Sequence, residues 1–374
     1  MREFAVKKMT DEDKPRSEAI RSALPDRGWL RRIPKIDLHV HLDGSLRPRL
    51  IWDILERNGG NPFSSLLELE KRLRVSDEVA DLAGYLRIFD FVLAYLQQPD
   101  DIERAAFELA EDSSAEKIRY LEVRFSPILH LQAAPVAEIV AGALRGLKKA
   151  EETFPIRAAL ILSCIREKNP ESSLEVVRSA LHFREEGVVG IDLAGNETEF
   201  PGYPHRAAFD RAAEQGLNIT IHAGEARGAA SIREALEILH ARRVGHGLSL
   251  TDDPALLERF VKESIPLEVC LTTNVHTKSV KSFSEHPLKF FLAGGLKVTL
   301  NTDDRLMSGI TLTDEFFRAQ SYLGLGKNDI GLMLRNAAEA AFLPEDEKRL
   351  FQADFLEELD PYLPIPEGTD GDRR

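Results

Sequence analysis

The chain has 374 residues, 43% hydrophobic and 30% charged, the balance of a globular protein with a large core and not of a disordered or fibrous one. A formal net charge of -13 leaves a surface that repels phosphate backbones and anionic lipid, so neither nucleic acid nor a membrane is the expected partner and a small molecule is. No stretch approaches the ~20 apolar residues that span a bilayer, no signal-peptide core opens the chain, and Cys164 and Cys270 lie far apart in apolar runs, which reads as cytoplasmic with two buried, reduced thiols.

Residues 1–28 are charged and aperiodic, and read as an N-terminal extension. The first apolar segment of strand length is IDLHVHL. After it comes a long stretch, SSLLELEKRLRVSDEVADLAGYLRIFDFVLAYLQ, that carries more than one helix and could close over a site as a lid. Strand-like RYLEVRFS, IRAALILSCI, VVGIDLAG, NITIHAG, RVGHG, LEVCLTT and LKVTLNTDD follow in turn. Helical patterns such as VAEIVAGALRGLKKAEETF, SSLEVVRSALHFREEG and SIREALEILHARR separate them. Near-continuous Ile, Val and Leu runs suit strands covered on both faces. The alternation predicts an α/β fold, one (β/α)8 TIM barrel over residues 29–360 with extra helices inserted after the first strand. An open doubly wound sheet is the alternative, since periodicity does not show whether the first and last strands pair. The Pro- and Gly-rich residues 361–374 read as a polar tail.

His39 and His41 are two apart in the first strand, so they share a face while Leu38, Val40 and Leu42 take the other. Such a pair can grip a metal, or be two hydrogen-bonded histidines at a strand end. His222 closes ITIHAGE, His246 closes RVGHG, and Asp303 and Asp304 close the last segment. All fall at carboxyl ends of strands, the face on which barrel active sites sit. His39, His41, His222 and Asp303 make a His₃Asp set with room for water, suited to zinc without excluding iron or manganese. A metal lowers the pKa of its water to about 7. His246 can then steer or take a proton. Glu225, on the HAGE turn that Gly224 allows, is expected to be raised in pKa by Asp303 and Asp304 and so to donate one. The plain alternatives are a solvated loop carboxylate for Glu225 and a backbone-bonded rim histidine for His246.

From IPKIDLHVHLDGSLRP through YLEVRFSP, VVGIDLAGNE, ITIHAGE, RVGHG and EVCLTTN to LNTDD, the chain resembles the adenosine deaminase family. The resemblance implies hydrolytic deamination of adenosine and 2′-deoxyadenosine to the inosine product and ammonia. It implies one zinc per chain on His39, His41, His222 and Asp303, with His41 also at the substrate. Glu225 would protonate purine N1, His246 would orient the attacking hydroxide and shuttle its proton, and Asp303 would hold that hydroxide as well as the metal. Asp304 would pair with N7, the Gly195 N–H with N3, and Asp43 with the ribose hydroxyl. Asp43 of HLDG stands where relatives acting on free adenine tend to carry Glu. Its plain alternative is a turn residue ahead of a helix capped by Ser45. Asp192 would hold a neighbouring ligand in place, or be a core carboxylate satisfied by backbone. Tyr85, Leu86 and Phe89 would cover the nucleoside, or simply be core.

Two departures fall beside the site. Leu271 follows Cys270, and Arg305 follows Asp304, where the family commonly has proline after the Cys and after the acidic pair. Arg305 suggests an anionic or larger 5′ substituent on the substrate, or else is a surface arginine. Three other readings compete: a deaminase of a modified adenine nucleoside such as aminodeoxyfutalosine, a two-metal amidohydrolase, and a non-catalytic nucleoside-binding barrel. No lysine ends the fourth strand to bridge two metals, and the complete ligand and acid set speaks for chemistry.

Overall fold

Each apolar segment becomes a strand of one parallel sheet in a computed structural model that describes residues 25–364 apart from 77, 78 and 80. The strands are β1 Lys35–His41, β2 Ile118–Phe125, β3 Arg157–Ile165, β4 Val188–Ala194, β5 Asn218–Ala223, β6 Arg243–His246, β7 Leu267–Val269 and β8 Val298–Leu300. They pair in sequence order, all parallel. The sheet then meets itself. Val40 and Asp303 form a parallel bridge, with His41 N–H donating to Asp303 O at 2.7 Å and Asp303 N–H to His39 O at 2.8 Å. An open doubly wound sheet would leave β1 away from that end, so the fold is the (β/α)8 barrel.

Helices cover the outside because the outward side chains of the strands are apolar: Leu121, Val123 and Phe125 of β2, for example, are buried. The inside of the barrel is different. Glu122 of β2, Arg243 of β6 and Glu268 of β7 come from opposite walls yet meet, with Arg243 Nη2 on Glu122 at 2.5 Å and Arg243 Nε on Glu268 at 2.6 Å. Only inward-pointing side chains could do so. These buried charges are tolerable because each is paired. They form a polar floor beneath the site.

Between β1 and β2 stand the helices Pro48–Arg57, Leu66–Leu73, Leu82–Leu86 and Phe89–Tyr95, followed by the barrel helix Pro99–Ala115. The segments LEVCLTT and LKVTLNTDD are strand for only part of their length. After Val269 the chain turns into the helix Leu271–His276, and after Leu300 it leaves the ladder, so Asp303 and Asp304 lie beyond β8 instead of closing it. Asp303 has φ +61°, a left-handed conformation that no strand continues. Both cysteines are buried and free. The extensions expected at 1–28 and 361–374 lie largely outside the described residues, though Asp26 already caps the helix Arg27–Arg32. Among the described residues no helix is long and apolar enough to cross a membrane.

Candidate active site

The carboxyl ends of β1, β5 and β6 and the turn after β8 bring His39, His41, His222, His246 and Asp303 together. His39 Nδ1 lies 2.8 Å from Glu268 Oε2, and His222 Nδ1 lies 3.0 Å from Asp192 Oδ1. An ionised carboxylate only accepts, so each neutral ring carries its proton on Nδ1 and turns a bare Nε2 lone pair to the centre. Burial outweighs the opposing Asp192 carboxylate and lowers His222 to about 3, which keeps it neutral. The Nε2 atoms of His39 and His222 are 3.0 Å apart, and His41 Nε2 is 3.1 Å from that of His222. Asp303 Oδ1 stands 3.3 Å from Nε2 of both His39 and His41. Lone pairs converging at such distances repel one another unless a cation lies between them. A four-coordinate ion with metal–nitrogen distances of about 2.0–2.1 Å has ligand–ligand edges of about 3.3–3.4 Å. The donor set therefore fits one divalent metal.

His39, His222, His246 and Asp303 also make a compact group that could hold a metal, so the fourth place is contested between His41 and His246. Distance favours His41. His246 Nε2 is 4.0 Å from Asp303, on the other carboxylate oxygen, and 3.8 Å from Glu225 Oε2.

Glu225 is held from behind. Gly224 has φ +73°, and a Cβ there would come within 2.4 Å of Ile232 Cδ1, so the turn needs glycine. Glu197 accepts from the N–H groups of Gly224 at 2.6 Å, Glu225 at 3.0 Å and Ala226 at 2.7 Å, and from the Ser231 hydroxyl. Burial raises the Glu225 carboxyl, with Asp303 and Glu197 adding to the rise and His246 and Thr277 opposing it. The like-charge cause expected from the sequence is thus secondary to desolvation, and Asp304 is not among the leading causes. Asp304 is likewise raised well above the carboxylate range, by burial and then by Asp303.

A cavity of about 280 Å³ opens above this cluster. Asp43, Gly195, Glu225 and Asp304 line it, and Tyr85, Leu86 and Phe89 roof it from the inserted helices. Tyr85 donates to Asp304 Oδ2 at 2.8 Å, and the Phe89 ring stands edge-on to His41 at 6.5 Å. Gly195, at φ +106°, has its backbone against the cavity, and a Cβ would lie 2.1 Å from Glu167 Oε2. Asp43 Oδ1, Ser126 Oγ, Thr273 Oγ1 and Asp304 Oδ1 are buried at this cavity without a hydrogen-bond partner among the described residues. Buried polar atoms left open in this way are what a polar ligand satisfies.

Arg305 does not reach the cavity, nor is it a surface arginine. Its guanidinium is buried against Ser113 Oγ at 2.7 Å and the Glu116 carboxylate, on the far side of its own turn. Ser45 does not cap the following helix, which starts at Pro48 with no side-chain cap; its hydroxyl accepts instead from Arg305 N–H at 3.0 Å. Several site neighbours escape sequence reasoning: Glu268 and Arg124 behind His39, Glu197 behind Glu225, and Asn274 and Thr277 beside it. Their signal was faint. Glu268 and Arg124 interrupt apolar strands at inward positions, and Glu197 and Asn274 sit inside LAGNE and LTTN.

The family profile described as Adenosine deaminase matches residues 34–358. Adenosine deaminase of Clostridium acetobutylicum is 38% identical over 330 residues, which are 88% of this chain and 97% of that one. The structure of adenine deaminase from Arthrobacter aurescens superposes with a TM-score of 0.81 at 30% identity, covering 88% of this chain and 99% of the other. An amidohydrolase from Burkholderia ambifaria with bound Zn superposes with a TM-score of 0.83 at 26% identity, covering 90% and 93%.

Proposed function

This chain belongs to the adenosine deaminase family of metal-dependent deaminases, and from that premise we propose that it hydrolyses adenosine and 2′-deoxyadenosine to the inosine product and ammonia with one zinc per chain. The observation that carries the reading is the convergence of a raised carboxyl, Glu225, with a His₃Asp donor cluster at a cavity that Asp43 also lines. His39, His41, His222 and Asp303 hold the metal. When bound, it supplies water with a pKa lowered to about 7.

The remaining work falls to the protein. Water adds at C6 of the purine and the amino group leaves as ammonia. Glu225, its carboxyl raised by burial, gives a proton to N1 so that the ring takes up electrons without becoming an anion. Asp304, also raised, meets N7, and the Gly195 N–H meets N3. His246 orients the attacking oxygen from Nε2. Asp192 and Glu268 keep the ligand rings turned inward. Tyr85, Leu86 and Phe89 exclude water from above.

Asp43 supports a nucleoside, since its open Oδ1 accepts from a sugar hydroxyl. With Arg305 turned away, the cation that argued for an anionic 5′ substituent is gone, and Asp43 repels a phosphate placed there. Ammonia release by zinc-loaded protein tests this with adenosine, 2′-deoxyadenosine, adenine, AMP and aminodeoxyfutalosine side by side. Adenosine is expected to have a kcat/KM at least tenfold above adenine and AMP. Preference for adenine or AMP would overturn the nucleoside reading. Turnover of aminodeoxyfutalosine alone would keep the chemistry and move the substrate.

A further inference from the structure

Behind His246 lies a run of hydrogen bonds whose direction is fixed by one backbone group. The Leu288 N–H donates to His286 Nδ1 at 3.0 Å. A backbone amide is always a donor, so that Nδ1 carries no proton and His286, which burial lowers to about 3 and so keeps neutral, must carry its one proton on Nε2. That Nε2–H donates to Asn274 Oδ1 at 3.2 Å. The orientation of the Asn274 amide is thereby set, a matter the shape of an amide alone leaves open. Its Nδ2 has two hydrogens and finds two acceptors, Glu225 Oε1 at 3.1 Å and His246 Nδ1 at 3.1 Å. His246 Nδ1 therefore carries no proton, and the ring presents Nε2–H toward Glu225 Oε2 and Asp303 Oδ2.

Asn274 is fully buried and His286 nearly so, at 0% and 4% exposure. The helix that carries Asn274 also puts the Thr277 hydroxyl 2.9 Å from the same Glu225 oxygen.

We propose that Asn274, oriented by His286, is the positioning residue that fixes His246 in the Nε2–H tautomer and Glu225 in its rotamer. This rests on the deaminase reading above and deepens it. His246 meets the attacking oxygen as a hydrogen-bond donor in this form. The same proton removes Nε2 from the metal's reach, which leaves the fourth ligand place to His41. One amide thus sets the acid and the orienting imidazole together, and turning it would disturb both.

The test reads the tautomer without substrate. In zinc-loaded protein carrying ¹⁵N only in histidine, His246 is assigned by the difference from His246→Gln. Its ring is expected to show a protonated Nε2 and a bare Nδ1. In Asn274→Asp, of the same shape but with acceptors only, the proton is expected to move to Nδ1. Its kcat should fall about 10²-fold or more at unchanged zinc content, within the range of about 10²–10⁴ that one acid–base group supplies. His286→Gln keeps a donor and an acceptor and should hold kcat within about tenfold of wild type, whereas His286→Leu should lose as much as Asn274→Asp. A wild-type His246 protonated on Nδ1, or Asn274→Asp with wild-type kcat, would overturn the proposal. Should Asn274→Asp not fold, the wild-type spectrum and the His286 pair decide. A chain that turned over no purine would sink the deaminase reading and leave the tautomer result to stand by itself.

Discussion

Asp303 and Asp304 are neighbours in sequence with opposite electrostatics. Asp303 is driven well below the carboxylate range: burial opposes this, but His39, His41 and His246 surround it and win. Asp304 is driven up, by burial first and then by the Asp303 charge, with His41 and the Tyr85 hydrogen bond opposing the rise. In the proposed reaction the first stays ionised on a cation and the second offers a proton to a ring nitrogen. Asp303→Ala is therefore expected to lose the metal, while Asp304→Ala keeps it and loses purine affinity. Metal analysis after gel filtration checks both, and full metal retention by Asp303→Ala would refute the ligand assignment. At this scale His39, His41, His222 and Asp303 were legible because each ends a strand pattern, which places it on one known face of a barrel. Glu197, Asn274 and His286 were not legible. Their role is to hold other side chains, and no periodicity marks a residue whose partner lies across a turn.

Among elements, β2 and β3 were readable because they run to eight and nine residues, whereas β7 and β8 have only three each. LEVCLTT reads as one strand because Leu271, Thr272 and Thr273 suit a strand by type. They form a helix because the Glu315 carboxylate accepts from Thr272 N–H at 3.1 Å and from the Thr272 hydroxyl, tying down the helix start that carries Asn274. Burial raises Glu315 to about 7 from 4.5. The folded chain then binds a proton that the unfolded chain has released between those values. Its contribution is full below pH 4.5 and is lost as pH rises to about 7. Glu315→Gln cannot lose that proton. Its unfolding free energy relative to wild type should climb across this window and level off on either side, by at most roughly 3 kcal/mol at about 1.4 per unit. A difference flat with pH would contradict the cause given.

For the molecule as a whole, the His/Asp donor cluster sits on the seam. The bonds that join the first strand to the turn after the last run between Asp303 and residues His39 and His41, three of the four proposed ligands. A metal bound by these residues would hold the barrel closed as well as supply the proposed chemistry. Its removal by a chelator should lower the midpoint of thermal unfolding by several degrees, following the binding energy it gives the native state. Calorimetry of loaded and stripped protein checks this, and identical midpoints would separate closure from metal binding. The eight strand–helix repeats argued for closure and the Val40–Asp303 bridge bears it out, although pairing of the first strand with the last leaves no mark on either strand by itself.

Glu225 acting as an acid beside a metal is the centre of the proposed reaction. The most direct test is ammonia release from adenosine by zinc-loaded wild type and Glu225→Gln, matched in metal content. The account predicts one ammonia per inosine from wild type and a kcat lower by about two to four orders of magnitude in the variant. Equal turnover by the two proteins would contradict it.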